Sequence, residues 1–545
     1  MKANMPRSFR DLSVEVLIDN LLPAVDLSDL GSLASTNRFL AAICSDDTFW
    51  KRKCLEDFNF SSGETARTSG WKVLYRGLFR PKIFVWGEKS SGRLGIQQGL
   101  STIGAGSGVP YPIELGIPGH RIISLAAAGM AFYALDVKGL LFAWGTLDGR
   151  HEMGNRRDGF SAAYKTAHVP YQLVMPNPIR SLSCGRLHTL ALDTKCQVWT
   201  FCNWGRPFYL ESERFNGLLP ETTPVQAEAG WSFSAILTQS GDVLVYWHDD
   251  GAMRRAFNRQ MALMDRDNGT KARPDEQSKT IPCATWGLKE DPFVLRPIPD
   301  LPVLSRNGLS EEQQAEPTKL VKIAGMDNVL IGLTNKGHVM KHGGLHNELS
   351  SGEGSRWEYL PEFSDAEYLR HNSVYQSEKL EAPDIMHITH VTAHFHRFVA
   401  YSTGSRSIIL MSNDNTSPAT PANIMPALQD RGVINVLLGD YHNAALTSDG
   451  KLFTWGSYSN GALGLGDPRE LTPGTPGGYA NEAQRHHQAE ARGWIAEPPP
   501  VREPTEVRFD YNGDNGKKFV FAATAAGWHT GALVMSLEDR PNKED

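Results

Sequence analysis

The stretch Ile434–Pro468, INVLLGDYHNAALTSDGKLFTWGSYSNGALGLGDP, constrains this chain more than any other. An apolar strand, Ile434 to Leu438, reaches Gly439. After His442 comes a small-residue strand, Ala444-Ala445-Leu446, and then the turn Ser448-Asp449-Gly450. A third run, Leu452 to Gly456, closes in Trp-Gly before a glycine-rich loop. Three short runs separated by turn chemistry predict an antiparallel meander. A lone meander cannot bury both faces, so the unit requires copies of itself.

Copies are present. The Leu-x3-Gly turn of Leu446–Gly450 recurs at Leu135–Gly139, Leu237–Gly241 and Leu333–Gly337. The strand closing in Trp-Gly recurs as Phe84–Gly87 and Phe142–Gly145, and Gly185–Leu192 repeats the spacing of Gly439–Leu446. Weaker copies start near Val225, Val321 and Ile388. A last partial copy, Phe519–Val534, stops before its Trp-Gly strand, whereas Pro81–Gly95 opens with that strand and lacks what precedes it. Joining the two halves closes a ring, and closure removes exposed sheet edges.

The repeat resembles the regulator of chromosome condensation repeat, which implies a seven-bladed β-propeller closed by a split blade. Six continuous copies plus the split one supply seven blades. The resemblance covers about 81–534 and fades in the middle, where the Trp-Gly strand has become Met340-Lys341-His342-Gly343.

Residues 9–80 are of another kind, with helical periodicity and few glycines. Ser13 is placed to cap a helix reaching Leu22, with Leu12 and Leu17 as a hydrophobic staple. Val14, Leu17, Ile18, Leu21 and Leu22 give it a wide apolar face before Pro23. Further helices follow Asp26 (Leu27, Leu30, Leu33), carry Phe39, Leu40 and Ile43, run from an Asp47 cap through Trp50 to Phe58, and span Trp71–Leu78. So small a helical piece is marginal alone and gains stability by docking. The segment resembles an F-box in Leu12, Glu15-Val16-Leu17, Leu21-Leu22, Asp26-Leu27, Asp29-Leu30, Arg38-Phe39 and Phe49-Trp50. Ser13 stands where that motif usually has proline; both residues start helices well.

The expected architecture is therefore mainly β: an N-terminal all-α F-box at 9–58, a helical linker at 59–80, and a seven-bladed propeller at 81–534. Insertions at 253–317, 345–384 and 468–506 interrupt the blades, and 535–545 is a charged tail. Polar, proline-bearing insertions of this kind either project from the faces and carry function or stay inert and disordered.

Composition narrows the function. Among 545 residues, 41% are hydrophobic and 21% charged, as in soluble globular proteins. A net charge of −6 argues against a general nucleic-acid surface, and no run is apolar enough for a bilayer. Six cysteines without a C-x-x-C pair suggest reduced thiols, hence cytoplasm or nucleus. His387, His390, His394 and His396 lie close together, but His396 falls at the repeat position of His188, His442 and His529. A histidine recurring once per blade reads as a hydrogen bonder between strands rather than a metal ligand. Asp265–Gly269 with Glu276 lacks the glycine placement of a calcium loop, and Gly104–Gly108 lacks a dinucleotide fingerprint. The tryptophans Trp86, Trp144, Trp199, Trp204, Trp247 and Trp455 read as blade core. No nucleophile–base grouping stands out, so nothing demands an enzyme.

The whole chain resembles fungal-type F-box proteins carrying this propeller, the SCF-associated factors. The resemblance implies a non-catalytic substrate receptor of a cullin–RING ubiquitin ligase. The F-box would bind a Skp-type adaptor, and through it the cullin and RING subunits; the propeller would hold a protein substrate. No cofactor is implied. Leu12, Val16, Leu17, Leu21, Leu22, Leu27, Leu30 and Trp50 would form or support the adaptor contact, with Leu12, Val16 and Leu17 touching it directly. Two readings from other classes stay open: guanine-nucleotide exchange on a small GTPase, and a non-catalytic scaffold.

Overall fold

Seven β-sheets arranged in a ring make up most of the molecule. The computed structural model describes residues 12–96, 108–146, 166–267, 275–352, 354–377, 380–403, 406–490, 497–511 and 516–537. The glycine-rich loop at 104–107, the centre of the suggested calcium loop at Asn268-Gly269 and the end of the charged tail lie outside them.

Blades 1 to 6 open with the first strands Ile122–Ala127, Ile179–Cys184, Pro224–Ala229, Leu320–Gly325, His390–His394 and Val433–Leu438. Blade 7 takes Lys518–Ala526 and His529–Ser536 from the C-terminal end and Lys82–Glu88 and Gly108–Leu115 from the N-terminal end. Lys82–Gly87 pairs antiparallel with Val534–His529, so the two halves do complete each other. Each first strand touches that of the next blade, and the circuit closes from blade 7 back to blade 1.

The glycines explain why the repeat is visible in sequence. Gly139, Gly241, Gly337 and Gly450 sit at φ between 74° and 98° in the turn after the second strand. Gly87, Gly145 and Gly456 end the third strand at φ between 92° and 109°. A Cβ on any of these three would lie 2.5–2.6 Å from a backbone carbonyl of the neighbouring second strand. Only glycine satisfies both demands. The six tryptophans are all buried, as blade core requires.

The insertions are sheet edges rather than free loops. After the helix Gly251–Arg266, Thr280–Pro282 adds a parallel fifth strand to blade 1 and Trp286–Leu288 one to blade 2. Phe293–Val294 then becomes the fourth strand of blade 3. Trp357–Tyr359 and Val501–Glu506, from the other two insertions, close blades 4 and 6. Runs of two or three edge residues are too short to leave a period. The reading of 253–317 as irregular is corrected for its first part, where the helix Gly251–Arg266 buries Met253, Met261 and Met264.

The head is helical, with two departures from expectation. Ser13 caps α1 (Val14–Val16), but the chain continues through a wider π turn at Leu17–Leu21 and a tight turn at Leu22–Ala24. Then follow α2 (Leu27–Thr36), α3 (Arg38–Ile43), α4 (Asp47–Phe58) and α5 (Trp71–Gly77). Asp46, not Asp47, caps α4, accepting from the Thr48 and Phe49 amides at 2.9 and 3.1 Å. Asp47 instead accepts from the Trp71 amide at 2.8 Å and so fastens α5 to α4.

Candidate functional site

The head has one side committed to the propeller and another left open. Phe58 and Phe79 both take the Arg121 guanidinium at 5.8 Å, and a Cβ at Gly77 would strike Met535. Leu17, Leu22, Leu30, Trp50 and Trp71 belong to one continuous buried core with Ile83, Ile122 and Phe132 of the propeller. Four of the sequence-predicted contact residues (Leu17, Leu22, Leu30 and Trp50) are thus interior packing. The reading of Leu17 as a direct contact is corrected: its side chain is fully covered. Trp50 is held by donation from its indole nitrogen to the Cys44 carbonyl at 2.9 Å.

The remaining four reach the surface to different degrees. Val16 is 44% exposed and Leu27 42%; Leu12 and Leu21 are half-buried. Val14, 45% exposed, joins Val16 on the same helical turn. Beside them Leu21, Val25, Leu33 and Leu40 line an open groove of about 360 Å³, with Asp29, Ser32 and Thr36 at its edge. Sequence reasoning assigned Val14, Val25, Leu33 and Leu40 no contact role. For Val14 the signal was there in the apolar face predicted for the first helix, wider than one packing partner needs.

Residues 59–67 fix the head by crossing the near mouth of the central channel. Asn59 donates to the Ile179 carbonyl at 3.0 Å in blade 2, and the Ala66 amide to that of Ile434 at 2.8 Å in blade 6. Arg67 donates to the Ser448 carbonyl at 3.1 Å and lies 5.4 Å over the Phe519 ring of blade 7. Lys322 of blade 4 donates to the Gly63 carbonyl. Deeper in the channel Glu228 accepts from Ser183 at 3.0 Å and Gln226 at 2.8 Å. Burial pushes its carboxyl up to about 7, against the pull of those two donors and of Lys322.

Three of the four clustered histidines take separate partners. His390 stacks on Tyr401, His394 meets Asp440 at 3.1 Å, and His396 meets Asp414 at 2.7 Å. Among the described residues no three His, Cys, Asp or Glu side chains form a metal-binding group. The repeat frame at His396 is corrected by one residue. His394 and Arg397 form the strand pair flanking a two-residue turn, so Arg397 takes the place of His442. Asp265, the first residue of the suggested calcium loop, pairs with Arg206 at 2.7 Å.

Comparison with known proteins agrees with this architecture. Residues 433–462 match the regulator of chromosome condensation (RCC1) repeat. The chain is 26% identical over 276 residues to the mitochondrial RCC1 domain-containing protein RUG3 of Arabidopsis thaliana, covering 44% of this chain and 58% of that protein. It is 34% identical over 110 residues to SCF-associated factor 1 of Saccharomyces cerevisiae, covering 19% of this chain and 14% of that one. These matches span less than two thirds of the relatives' length. Prp20p of Saccharomyces cerevisiae, whose structure was described with its binding to Gsp1p and histones, superposes with a TM-score of 0.51 at 15% identity, over 90% of this chain and 95% of that one. The molecule is a seven-bladed propeller that shares the fold of Prp20p and carries an RCC1-repeat match at 433–462.

Proposed function

We propose that this chain is the substrate-recognition subunit of an SCF-type ubiquitin ligase, working in the cytoplasm or nucleus. Its head (9–58) is an F-box that binds a Skp-type adaptor; the propeller holds a protein substrate. The observation that carries this reading is the open apolar edge of the head, Val14, Val16 and Leu27 beside the Leu21–Leu40 groove, on a body whose opposite side is fastened to the ring. Exposed apolar surface of this kind marks a protein interface. The likeness to SCF-associated factor 1 supports the same assignment.

The mechanism is positional. A receptor docked at one end to a ligase and at the other to a client raises the local concentration of client lysines near a tethered conjugating enzyme. The linker across the channel, held by blades 2, 4, 6 and 7, makes the two ends one rigid body, which sharpens that effect. No residue here is asked to transfer an acyl group. The test is co-purification of the adaptor with Val14→Asp, Val16→Asp and Leu27→Asp variants of the full chain. The expected result is loss of adaptor with an unchanged melting temperature; retention of adaptor overturns the assignment. Nucleotide release from small GTPases by the same preparations would instead support the exchange-factor reading.

A further inference from the structure

The far mouth of the channel, opposite the head, is built from the turns between the first and second strands. These turns lean on one another. Leu187 donates its amide to the Trp231 carbonyl at 3.3 Å, Trp231 to Asp327 at 3.3 Å, and Asp327 to Phe395 at 2.9 Å. Across the ring Asp440 donates to Gly527 at 3.1 Å. The opening left among them is about 90 Å³. An opening of this size admits the tip of a side chain.

Three carboxylates, Glu228, Asp327 and Asp440, line this opening, and the last two are in opposite circumstances. Asp440 is satisfied, with Arg186 at 2.7 Å and His394 at 3.1 Å. Burial alone would raise its carboxyl, yet these two partners hold it well below the usual range. Among the described residues Asp327 has no such partner. The His396 ring nitrogen lies 3.8 Å from it, beyond hydrogen-bond distance, while the other nitrogen of that ring serves Asp414. Burial pushes Asp327 up to about 6, with His396, His394 and Arg186 pulling it down and Asp440 pushing the same way as burial. A half-buried carboxylate without a donor is costly, and a donor brought by a partner removes that cost.

The walls suit a cation. Trp231 already carries the Arg186 guanidinium 4.9 Å from its ring, and Phe395 stacks on it at 6.2 Å. Tyr441, 52% exposed, stands edge-on to Phe395 at the rim. Ring faces attract ammonium and guanidinium groups, most strongly where water is excluded. An acidic side chain would instead meet the Asp327 carboxylate, while Asp440 in the same cavity keeps its Arg186 and His394 partners.

We propose that this mouth captures a lysine or arginine side chain presented by a protein partner, with Asp327 as the charge partner and the Trp231–Phe395 wall as the apolar guide. The inference rests on the receptor reading for its biological sense, since it names where a client would dock. It is tested separately from the adaptor contact. Random twelve-residue peptides displayed on phage are selected on the immobilised full chain, and the best peptide is measured by fluorescence anisotropy. The expected outcome is a family with a basic residue at one fixed position. Its affinity should fall about ten-fold on Asp327→Asn and equally on exchange of that basic residue for norleucine. The norleucine peptide keeps the comparison valid should the protein variant fold poorly. Val16→Asp should leave peptide binding unchanged whether or not it loses the adaptor, so failure of one reading is distinguishable from failure of the other. An absence of enriched peptides, a family without a fixed basic residue, or affinity unchanged by the norleucine exchange overturns the proposal.

Discussion

Cys196 occupies the turn position that glycine holds in four other copies, and it does so at φ 61°. A side chain there costs about 1 kcal/mol, so Cys196→Gly should raise the stability measured by urea unfolding by about that much. Glu228 carries a different cost. Its folded-state carboxyl is raised, so the folded protein binds a proton that the unfolded chain has released. Stability from this group is complete below the ordinary value near 4.5 and is lost as pH rises through about 7. Glu228→Gln should therefore be close to wild type in stability at pH 4.5 and more stable at pH 8, by about 1 kcal/mol after allowance for channel water and Lys322. In the head, burial separates two neighbours. Leu17→Ala should cost about 3 kcal/mol, while Val16→Ala should leave the melting curve within about 0.5 kcal/mol.

Between blades, one geometry recurs on different residues. His188 Nε2 reaches Ser234 at 2.9 Å, Arg397 Nη1 reaches Asn443 at 2.7 Å, and His442 Nε2 reaches Thr530 at 2.9 Å. Each bolt joins the start of one second strand to the same place on the next blade. Thr530 donates to the Ala462 carbonyl at 2.8 Å, so its oxygen accepts from His442. The proton then sits on Nε2, which agrees with His442 Nδ1 being buried without a partner. Burial lowers this ring to about 3, so it stays neutral through the physiological range. A double-mutant cycle of His442→Ala and Thr530→Val should return a coupling of about 1 kcal/mol. The sequence showed the recurring histidine and its structural role. It misplaced the equivalent in blade 5, because His396 is histidine and Arg397 is not, and only strand pairing reveals the shifted frame. The same limit hid the parallel edge strands at Thr280–Pro282 and Trp286–Leu288, whose partners lie about a hundred residues earlier. What was legible, the Trp-Gly strands and positive-φ turns, is what glycine sterics alone enforce.

For the whole molecule, the ring depends on its clasp. Truncation after residue 517 removes both C-terminal strands of blade 7, exposing the edge of Lys82–Glu88 and the face of blade 6 that Lys518–Ala526 covers. Such a chain should elute as soluble aggregate in size-exclusion chromatography, since open edges recruit other chains. The docked head and closed ring together form a rigid body with an apolar edge at one end and an acidic, aromatic mouth at the other. The role proposed for the head starts from a resemblance. Its helices announced themselves by period, but which leucines stay uncovered depends on the propeller face behind them. Hydrogen–deuterium exchange of the full chain, with and without a purified Skp-type adaptor, tests the account most directly. The account predicts new protection confined to residues 12–36, with the blade strands unchanged. Exchange in 12–36 unaffected by saturating adaptor would contradict it.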